Sequence, residues 1–196
     1  AYRLRYDLPR ISVFFPAYNL EAQIENTVNR AFDVIPQIAS EYEVIVINDG
    51  SLDKTENILK KLSKQNKKLR VIKHEVNKGY GAALKSGFYN SKFRWVAFTD
   101  ADGQFDISEL PKLIEVQKKT GADLVVGYYI KRAVPFYRKL NTWLWQLVVR
   151  MLFDLKVRDI DCGFKLISKN VINTIPKLES ERGAFISSEF LIKAKK

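Results

Sequence analysis

The sequence predicts an α/β fold in which a mainly parallel sheet is flanked by helices. The first observation behind this prediction is a series of short apolar runs, of which Tyr42–Ile47 has the composition of a strand covered on both faces. The second is that segments with the apolar spacing of amphipathic helices separate these runs. Alternation of strand and helix along the chain favours right-handed βαβ crossovers, and therefore a mainly parallel sheet.

The elements follow in order up to Gly127. The predicted strands are Ile11–Phe15, which Pro16 stops, then Tyr42–Ile47, Leu69–Lys73, Trp95–Thr99 and Asp123–Gly127. Four helices are predicted between and after these strands. The first is opened by Asn19 and Glu21 and has Ile24, Val28, Ala31 and Phe32 on one stripe, and the second is capped by Asp53 and has Ile58, Leu59 and Leu62 facing inward. The third runs from Ala82 to Tyr89, and the fourth carries Leu110, Leu113, Ile114 and Val116.

The pattern changes after Gly127. Residues 136–155 predict one long helix whose apolar arc is wider than a sheet-covering helix needs. Two interpretations stay open: a second apolar surface for a partner, a lipid chain or the membrane interface, or a helix buried on both sides within the domain. A strand-like segment, Val157–Lys165, and a final helix from about Ser187 complete the chain.

Composition describes a globular chain with an anionic partner. Of its 196 residues 46% are hydrophobic and 28% are charged, and its formal net charge is +11. Residues 128–196 hold 14 Lys and Arg against 6 Asp and Glu, so +8 of this charge lies in the last third. Nucleic acid, anionic lipid head groups or a phosphorylated substrate would match it. The single Cys162 and single His74 exclude an intrachain disulfide and a multi-ligand His/Cys zinc site, and no stretch of about 18 apolar residues is present.

Polar residues follow three of the predicted strands, at Pro16–Asn19, Asn48–Ser51 and Asp100–Asp102. Because ligands of open α/β sheets bind outside the carboxyl ends of the strands, we expect these loops to form one site. Asp100 and Asp102 suit Mg²⁺ or Mn²⁺ carrying a substrate's phosphates. Taken singly, each motif is also ordinary turn chemistry, and the prediction depends on their meeting at one edge.

Further residues complete this predicted site. Tyr18 is expected to stack on a flat base, and Asp49 is expected to accept hydrogen bonds from a base or a ribose. Gln104 is expected to add an oxygen to the metal, and Lys78 or Arg132 to neutralise phosphate charge. No Gly-rich phosphate loop or Walker motif is present, so phosphate binding would depend on the metal and on basic side chains.

Five motifs in order resemble the family 2 inverting glycosyltransferases, which have the GT-A fold, and within them the polyprenyl-phosphate branch of dolichyl-phosphate mannose and glucose synthases. They are Val13–Asn19, Val46–Asp53, Asn77–Gly79, Asp100–Gln104 and Asp161–Lys165. The resemblance runs from about Ile11 to the last residue. It implies a UDP- or GDP-linked sugar donor, Mg²⁺ or Mn²⁺, and an isoprenoid phosphate acceptor at the cytoplasmic face of a membrane.

Carried over residue by residue, the resemblance implies nucleotide contacts from the first two motifs and metal and diphosphate contacts from the fourth. The nucleotide contacts are Pro16, Tyr18, Ile47 and Asp49; the metal and diphosphate contacts are Asp100, Asp102 and Gln104. We also expect Ala17 and Ala101, which lie in the same loops, to contact the nucleotide. Two positions depart from the family pattern. Leu20 stands where an acidic residue is common, and Tyr129 where an arginine is common, which leaves Arg132 as its substitute.

We expect one catalytic domain over residues 1–196, with a nucleotide-binding half at about 9–127 and an acceptor-side half at about 128–196. Many relatives continue with a further strand, a basic segment and sometimes membrane helices, so we expect either a truncated chain or an incomplete site. The expected location is the cytoplasmic side of a membrane, peripheral or anchored by a segment outside this sequence.

The predicted reaction is direct inverting displacement at the anomeric carbon of the sugar, with Asp102 and Asp161 as the candidate catalytic residues. A phosphate acceptor needs positioning by cations, for which Arg138, Arg158 and Lys165 are the candidates. A saccharide hydroxyl acceptor, as in polysaccharide synthesis, would instead need a carboxylate base, Asp161 or Glu189.

Each of these two carboxylates also has a structural interpretation, Asp161 pairing with Lys165 and Glu189 with Lys193 along a helix.

Two rival classes of protein are disfavoured. A nucleic-acid-binding module would carry aromatic residues interleaved with basic ones on a sheet face, whereas these strands are apolar, and we expect no nucleic-acid partner. A nucleotidyltransferase would carry a Gly-rich loop near the first strand, where this chain has Pro16–Tyr18.

Overall fold

A computed structural model describes residues 9–103, 105–128, 157–181 and 185–195, together with 144–145, 147–149, 151–153 and 183. Six strands form one sheet in the order β3-β2-β1-β4-β6-β5. The strands are β1 (Arg10–Ala17), β2 (Glu41–Asp49), β3 (Leu69–His74), β4 (Trp95–Phe98), β5 (Leu124–Val126) and β6 (Lys165–Ser168). The first four are parallel, whereas β6 pairs antiparallel with both β4 and β5. The predicted α/β fold with a mainly parallel sheet is confirmed.

Helices connect the parallel strands and cover both faces of the sheet. They are α1 (Ile24–Ile38), α2 (Thr55–Gln65), α3 (Tyr80–Asn90), α4 (Leu110–Thr120), which follows a 3₁₀ turn at Ile107–Glu109, α5 (Lys169–Thr174) and α6 (Phe185–Lys195). Side chains alternate along the strands between two apolar clusters. The inner residues of α1, α2 and α4 belong to the cluster that includes Phe15, and those of α3, α5 and α6 to the cluster that includes Phe14.

Three predictions about individual elements need correction. β1 continues through Pro16 to Ala17, which places Pro16 opposite Ile47 of β2. Val116 lies on the exposed side of α4, and α6 begins at Phe185, two residues before the predicted start. Asp53 does contribute to the start of α2, since its carboxylate accepts a hydrogen bond of 2.9 Å from the Thr55 N–H.

The strand-like segment predicted at Val157–Lys165 is wrong for most of its length. Residues 157–164 are irregular, and the strand runs from Lys165 to Ser168 and is followed at once by α5. Strand β6 is only four residues long and is buried on both faces between β4 and β5. Its extended form depends on those two neighbours, so the sequence pattern misplaced it.

Most of the long helix predicted over residues 136–155 lies outside the described residues. Residues 144–145, 147–149 and 151–153 are helical. Of these, Val149 is buried, whereas Met151 and Leu152 are 76% and 72% exposed. These exposures argue against burial on both sides and leave an apolar surface. Among the described residues, no helix combines the length and apolar character of a membrane span.

Candidate functional site

The carboxyl ends of β1, β2 and β4 lie at one edge of the sheet because these strands are parallel neighbours. A cleft of about 420 Å³ opens there, between the strand ends and the first turn of α3. Seven of the predicted contacts line it: Pro16, Ala17, Tyr18, Asp49, Asp100, Ala101 and Asp102. The remaining lining residues are Leu20, Asn77, Gly79, Tyr80 and Ala83.

Two further predicted nucleotide contacts, Ile47 and Lys78, are absent from the lining of this cleft. Ile47 is fully buried in the core beneath it. The side chain of Lys78 is exposed, and only its backbone N–H points inward, toward Asp49. Gln104, Arg132 and Arg138 lie outside the described residues, so their predicted roles stay predictions.

Asp49 ends β2 with its carboxylate held from three sides. Oδ1 accepts hydrogen bonds from His74 Nδ1 at 2.6 Å and from the Lys78 N–H at 3.0 Å, and Oδ2 accepts one from the Gly79 N–H at 2.8 Å. Gly79 has a φ of 96°, which an L side chain rarely adopts, and this bend lets two successive N–H groups face one carboxylate. Asp49 is therefore a buried acceptor in a fixed orientation at the floor of the cleft.

The loops after β1 and β2 brace each other beside Asp49. The Asn19 N–H donates to Ser51 Oγ at 3.0 Å, and Asn19 Oδ1 accepts from the Leu52 N–H at 2.8 Å. Asn19 has a φ of 53°, a left-handed conformation that Asn tolerates better than most residues. These bonds fix the loop that carries Tyr18, whose side chain is 43% exposed at the mouth of the cleft and free to meet a flat ligand.

Asp100 follows β4 and is fixed by residues distant in the sequence. The Tyr80 hydroxyl donates to its Oδ1 at 2.8 Å. Gly163 packs directly against the other side, where an added Cβ would lie 2.2 Å from Asp100 Oδ2. Burial raises the pKa of the Asp100 carboxyl to about 6; the Tyr80 hydrogen bond opposes the rise, the neighbouring Asp102 charge adds to it, and Lys165 opposes it.

Asp102 is exposed at the rim, two residues farther along the same turn. Thr27 Oγ1 of α1 donates to the Ala101 carbonyl at 3.2 Å and so connects this turn to α1. The pair fits a hard divalent cation: both donors are carboxylates, and the burial that disfavours ionised Asp100 would be offset by a cation beside it. The described residues contain no cluster of three or more His, Cys, Asp or Glu side chains that could hold a metal.

On the acceptor side, the structure separates the predicted cations. Lys165 is 1% exposed, with its ammonium donating to the Cys162 carbonyl and lying 5.3 Å from the centre of the Phe98 ring. Burial lowers its pKa, and the charges of Asp100, Asp161 and Asp159 oppose that shift. A lipid phosphate cannot reach this amine, so the prediction that Lys165 clamps the acceptor needs correction. Arg158 is exposed, with its guanidinium 3.9 Å above the Tyr128 ring.

The two predicted carboxylate bases have different surroundings. Asp161 is half-buried in the irregular segment before β6, two residues from the Gly163 that touches Asp100. Glu189 accepts from the Glu179 and Ser180 N–H groups at 2.8 and 2.9 Å and pairs with Lys193 at 2.6 Å. Partial burial raises the pKa of Glu189, but these hydrogen bonds prevail and bring it to about 2. So low a pKa makes Glu189 a poor proton acceptor and favours its structural interpretation.

Sequence reasoning missed three residues that shape the site: Tyr80, His74 and Gly163. Tyr80 and His74 contact carboxylates 20 and 25 residues away, so no local pattern connects them. Gly163 lies within the Asp161–Lys165 motif. Only the tertiary packing shows that the absence of a Cβ at Gly163 makes room for the Asp100 carboxylate.

The chain is similar to several known proteins. The sequence model described as "Glycosyl transferase family 2" matches residues 12–175. The chain is 27% identical to the dodecaprenyl-phosphate galacturonate synthase of Rhizobium johnstonii over 178 residues, which cover 90% of this chain and 52% of that protein. It is 30% identical to the undecaprenyl-phosphate 4-deoxy-4-formamido-L-arabinose transferase of Aeromonas hydrophila over 181 residues, 92% of this chain and 55% of that protein. The chain thus spans little more than half the length of these relatives.

The fold also matches solved structures. Glucosyl-3-phosphoglycerate synthase of Mycobacterium tuberculosis, crystallised with Mn²⁺, UDP and phosphoglyceric acid, superposes with a TM-score of 0.70 at 21% identity, covering 93% of this chain and 63% of that one. At this identity the likeness establishes a shared GT-A fold.

Proposed function

Because the chain belongs to glycosyl transferase family 2, and so is a glycosyltransferase, we propose that it transfers a sugar from a UDP- or GDP-linked donor to a polyprenyl phosphate at a membrane surface. The observation that carries the proposal is the cleft where Asp49 lies beside the Asp100 and Asp102 pair. The names of the relatives, which are polyprenyl-phosphate sugar synthases and transferases, support the acceptor.

The cleft offers complementary groups for each part of a nucleotide diphosphate. Tyr18 offers an exposed ring for a base to stack on, and the fixed Asp49 carboxylate accepts an N–H from the base or a hydroxyl from the ribose. Asp100 and Asp102 would hold a divalent cation on the diphosphate. The exposed Lys78 side chain follows the same loop and would neutralise remaining phosphate charge.

The proposed chemistry is a single displacement that inverts the anomeric carbon. A bound Mg²⁺ or Mn²⁺ would stabilise the negative charge that grows on the leaving nucleoside diphosphate. Asp100, held by Tyr80 and Gly163, keeps its ligand oxygens in place before the donor arrives. A phosphate acceptor is already anionic at neutral pH, so the protein needs to orient it more than to deprotonate it. The exposed Arg158 is our candidate for that contact, and Asp161 the candidate base for a hydroxyl acceptor.

An apolar patch supports contact with the membrane. It comprises Leu144, Trp145, Leu147, Val148, Met151, Leu152, Phe153 and Phe185, all of them more than a third exposed. The rings of Trp145 and Phe185 meet edge to face at 5.3 Å, which joins the helical residues to the start of α6. The net charge of +8 over residues 128–196 complements anionic head groups, so we propose that this patch inserts at the cytoplasmic membrane surface.

The reaction is tested by incubating the protein and Mn²⁺ with radiolabelled UDP- and GDP-sugars and an undecaprenyl or dolichyl phosphate. We expect label to enter the organic phase as a lipid-linked sugar. Asp102→Asn should reduce this transfer at least tenfold, because it removes a metal ligand at an exposed position. Asp33→Asn, an exposed carboxylate on the outer side of α1, is the matched control and should leave transfer unchanged. Label that reaches only a soluble saccharide would contradict the lipid acceptor.

Membrane contact is tested separately by flotation with vesicles. We expect binding to vesicles that contain phosphatidylglycerol and little binding to pure phosphatidylcholine, with a decrease as salt rises. Replacing both Met151 and Leu152 with Asp should abolish flotation. Val116→Asp changes an exposed apolar residue on α4 and should have no effect. Equal flotation of both variants would refute the patch.

A further inference from the structure

A buried chain of hydrogen bonds runs from the cleft to helix α3. His74, the single histidine of the sequence, ends β3 directly opposite Asp49 in the β2–β3 register. Its Nδ1 lies 2.6 Å from Asp49 Oδ1, and its Nε2 lies 2.8 Å from Ser86 Oγ on α3. The imidazole is buried, and both of its nitrogens are engaged. A histidine in this setting fixes its neighbours and is too enclosed to meet a ligand itself.

The arrangement determines how Asp49 can meet a ligand. A carboxylate has about four acceptor positions, two on each oxygen. His74 and the Lys78 N–H occupy both positions on Oδ1, and the Gly79 N–H occupies one on Oδ2. Within the described residues, one acceptor position on Oδ2 is left, and Asp49 lines the cleft. The site therefore offers a single, directed acceptor.

His74 also connects that acceptor to the loop above it. The Asp49 carboxylate, which is bonded to His74, also accepts hydrogen bonds from the Lys78 and Gly79 N–H groups of this loop. Gly50, next to Asp49, packs so closely on this loop that an added Cβ would lie 2.5 Å from the Asn77 N. Without the imidazole, Asp49 Oδ1 would lose its shortest hydrogen bond. The Asp49 carboxylate and the start of α3 would then be held less firmly in their present positions.

We propose that His74 is a positioning residue for the nucleotide: it orients the Asp49 carboxylate toward the base, and Ser86 holds its ring in place. The inference rests on the proposed function, because it assigns the cleft to a nucleotide. His74 does not touch the donor and takes no part in the transfer step.

The test is the affinity for UDP and for GDP, measured by calorimetry in the presence of Mn²⁺ on the whole chain. His74→Phe keeps an aromatic ring but removes both hydrogen bonds, and we expect it to weaken binding of the preferred nucleotide about tenfold. His74→Asn places an amide N–H near the position of Nδ1 and should recover most of that loss. In turnover, His74→Phe should raise KM for the donor while kcat stays within about twofold, because uniform binding is what it removes.

A matched control separates positioning from general loss of stability. Ser12 is a buried hydroxyl on β1 that bonds to Glu43 at 2.7 Å and to the Lys92 N–H at 3.1 Å, at the opposite edge of the sheet. Ser12→Ala should lower the melting temperature but leave nucleotide affinity unchanged. If His74→Phe does not fold, Ser86→Ala replaces it as the test, with an expected loss in affinity of about threefold.

The outcomes distinguish the two proposals. If the wild-type protein binds neither nucleotide, the proposed function fails and this inference falls with it. If the wild type binds but neither His74→Phe nor Ser86→Ala weakens binding, the inference alone is wrong. It is also wrong if Ser12→Ala weakens binding as much as His74→Phe, or if His74→Asn recovers nothing.

Discussion

Replacing Gly163 with alanine tests whether the position of Asp100 decides activity. The new Cβ would lie 2.2 Å from Asp100 Oδ2 and 2.9 Å from Asp100 Cγ. Real Cβ atoms essentially never come within 3.0 Å of another heavy atom, so the carboxyl and the Gly163 backbone must separate by at least about 0.8 Å. A shift of the Asp100 carboxyl would disturb its hydrogen bond from the Tyr80 hydroxyl.

The size of the effect follows from that displacement. Metal–oxygen distances in working sites vary by only about 0.2 Å, so a shift of about 0.8 Å disrupts coordination. A misplacement of about 1 Å near the reacting groups costs on the order of 100-fold in rate, and we expect kcat/KM for sugar transfer to fall by that factor. Overpacking should cost about 1–3 kcal/mol in folding free energy, which lowers the melting temperature by about 5 °C and keeps the protein folded at 25 °C.

The assay is initial-rate sugar transfer over a Mn²⁺ titration, with Mn²⁺-dependent nucleotide binding measured alongside. Gly127→Ala is the matched control: its Cβ would lie 3.1 Å from the Phe164 carbonyl oxygen and 3.2 Å from Cys162 Sγ, close contacts with the same segment that involve no site carboxylate. We expect this variant to keep activity within about threefold. Gly163→Ala with near wild-type activity, or an equal loss in Gly127→Ala, would refute the reasoning.

Three further predictions concern single hydrogen-bonding side chains. Tyr80→Phe removes the hydroxyl that holds Asp100 and should weaken Mn²⁺-dependent nucleotide binding about tenfold by calorimetry, since hydrogen bonds to charged groups contribute about 1.5–3 kcal/mol. Glu189→Gln should lower the free energy of unfolding at pH 7 by at most about 3 kcal/mol, measured by urea titration. Glu43→Ala should lower the free energy of unfolding by about 3 kcal/mol, because the Arg70 guanidinium loses the Glu43 carboxylate that lies 2.6 Å from it. This pair lies at the edge of the sheet remote from the cleft, so nucleotide affinity should not change.

The Glu189 prediction carries a definite pH dependence. The folded pKa of about 2 lies below the ordinary value of 4.5, so the unfolded chain takes up the proton first as pH falls. The stabilising effect of the ionised form is therefore complete above about pH 4.5 and is lost as pH falls toward 2. The difference in stability between wild type and Glu189→Gln should shrink over that window. A difference in stability that stayed constant from pH 7 to pH 3 would contradict this account of Glu189. The other two predictions would be contradicted if Tyr80→Phe did not weaken nucleotide binding or if Glu43→Ala changed it.

The sequence was most informative where a local pattern decides the structure. The buried strands β1, β2 and β4 are continuous apolar runs, and the rule that parallel strands end at one edge was enough to bring Tyr18, Asp49 and Asp100 to one cleft. These inferences depend only on composition and chain order. The carbohydrate chemistry came from resemblance between motifs, because carboxylates at strand ends serve many reactions.

The prediction failed where long-range packing decides the structure. Strand β6 has four residues and is extended because β4 and β5 bond to it from both sides. Lys165 was predicted to position a phosphate acceptor, yet it is buried, and its ammonium donates to the Cys162 carbonyl. Glu189 was considered as a base because of its residue type, whereas the N–H groups of Glu179 and Ser180 engage it.

The fold treats the two carboxylates at the ends of β2 and β4 in opposite ways, and this difference separates their roles. Asp49 receives three N–H donors, so its negative charge is already compensated by the protein. Within the described residues Asp100 receives one hydroxyl, and it is buried beside the like charge of Asp102, which leaves its charge poorly compensated. A carboxylate that already receives three N–H donors suits a neutral N–H or O–H donor, whereas a cation stabilises a buried carboxylate that lies beside a like charge. We therefore expect the Asp49 end of the cleft to bind the base and the Asp100 end to hold the metal diphosphate.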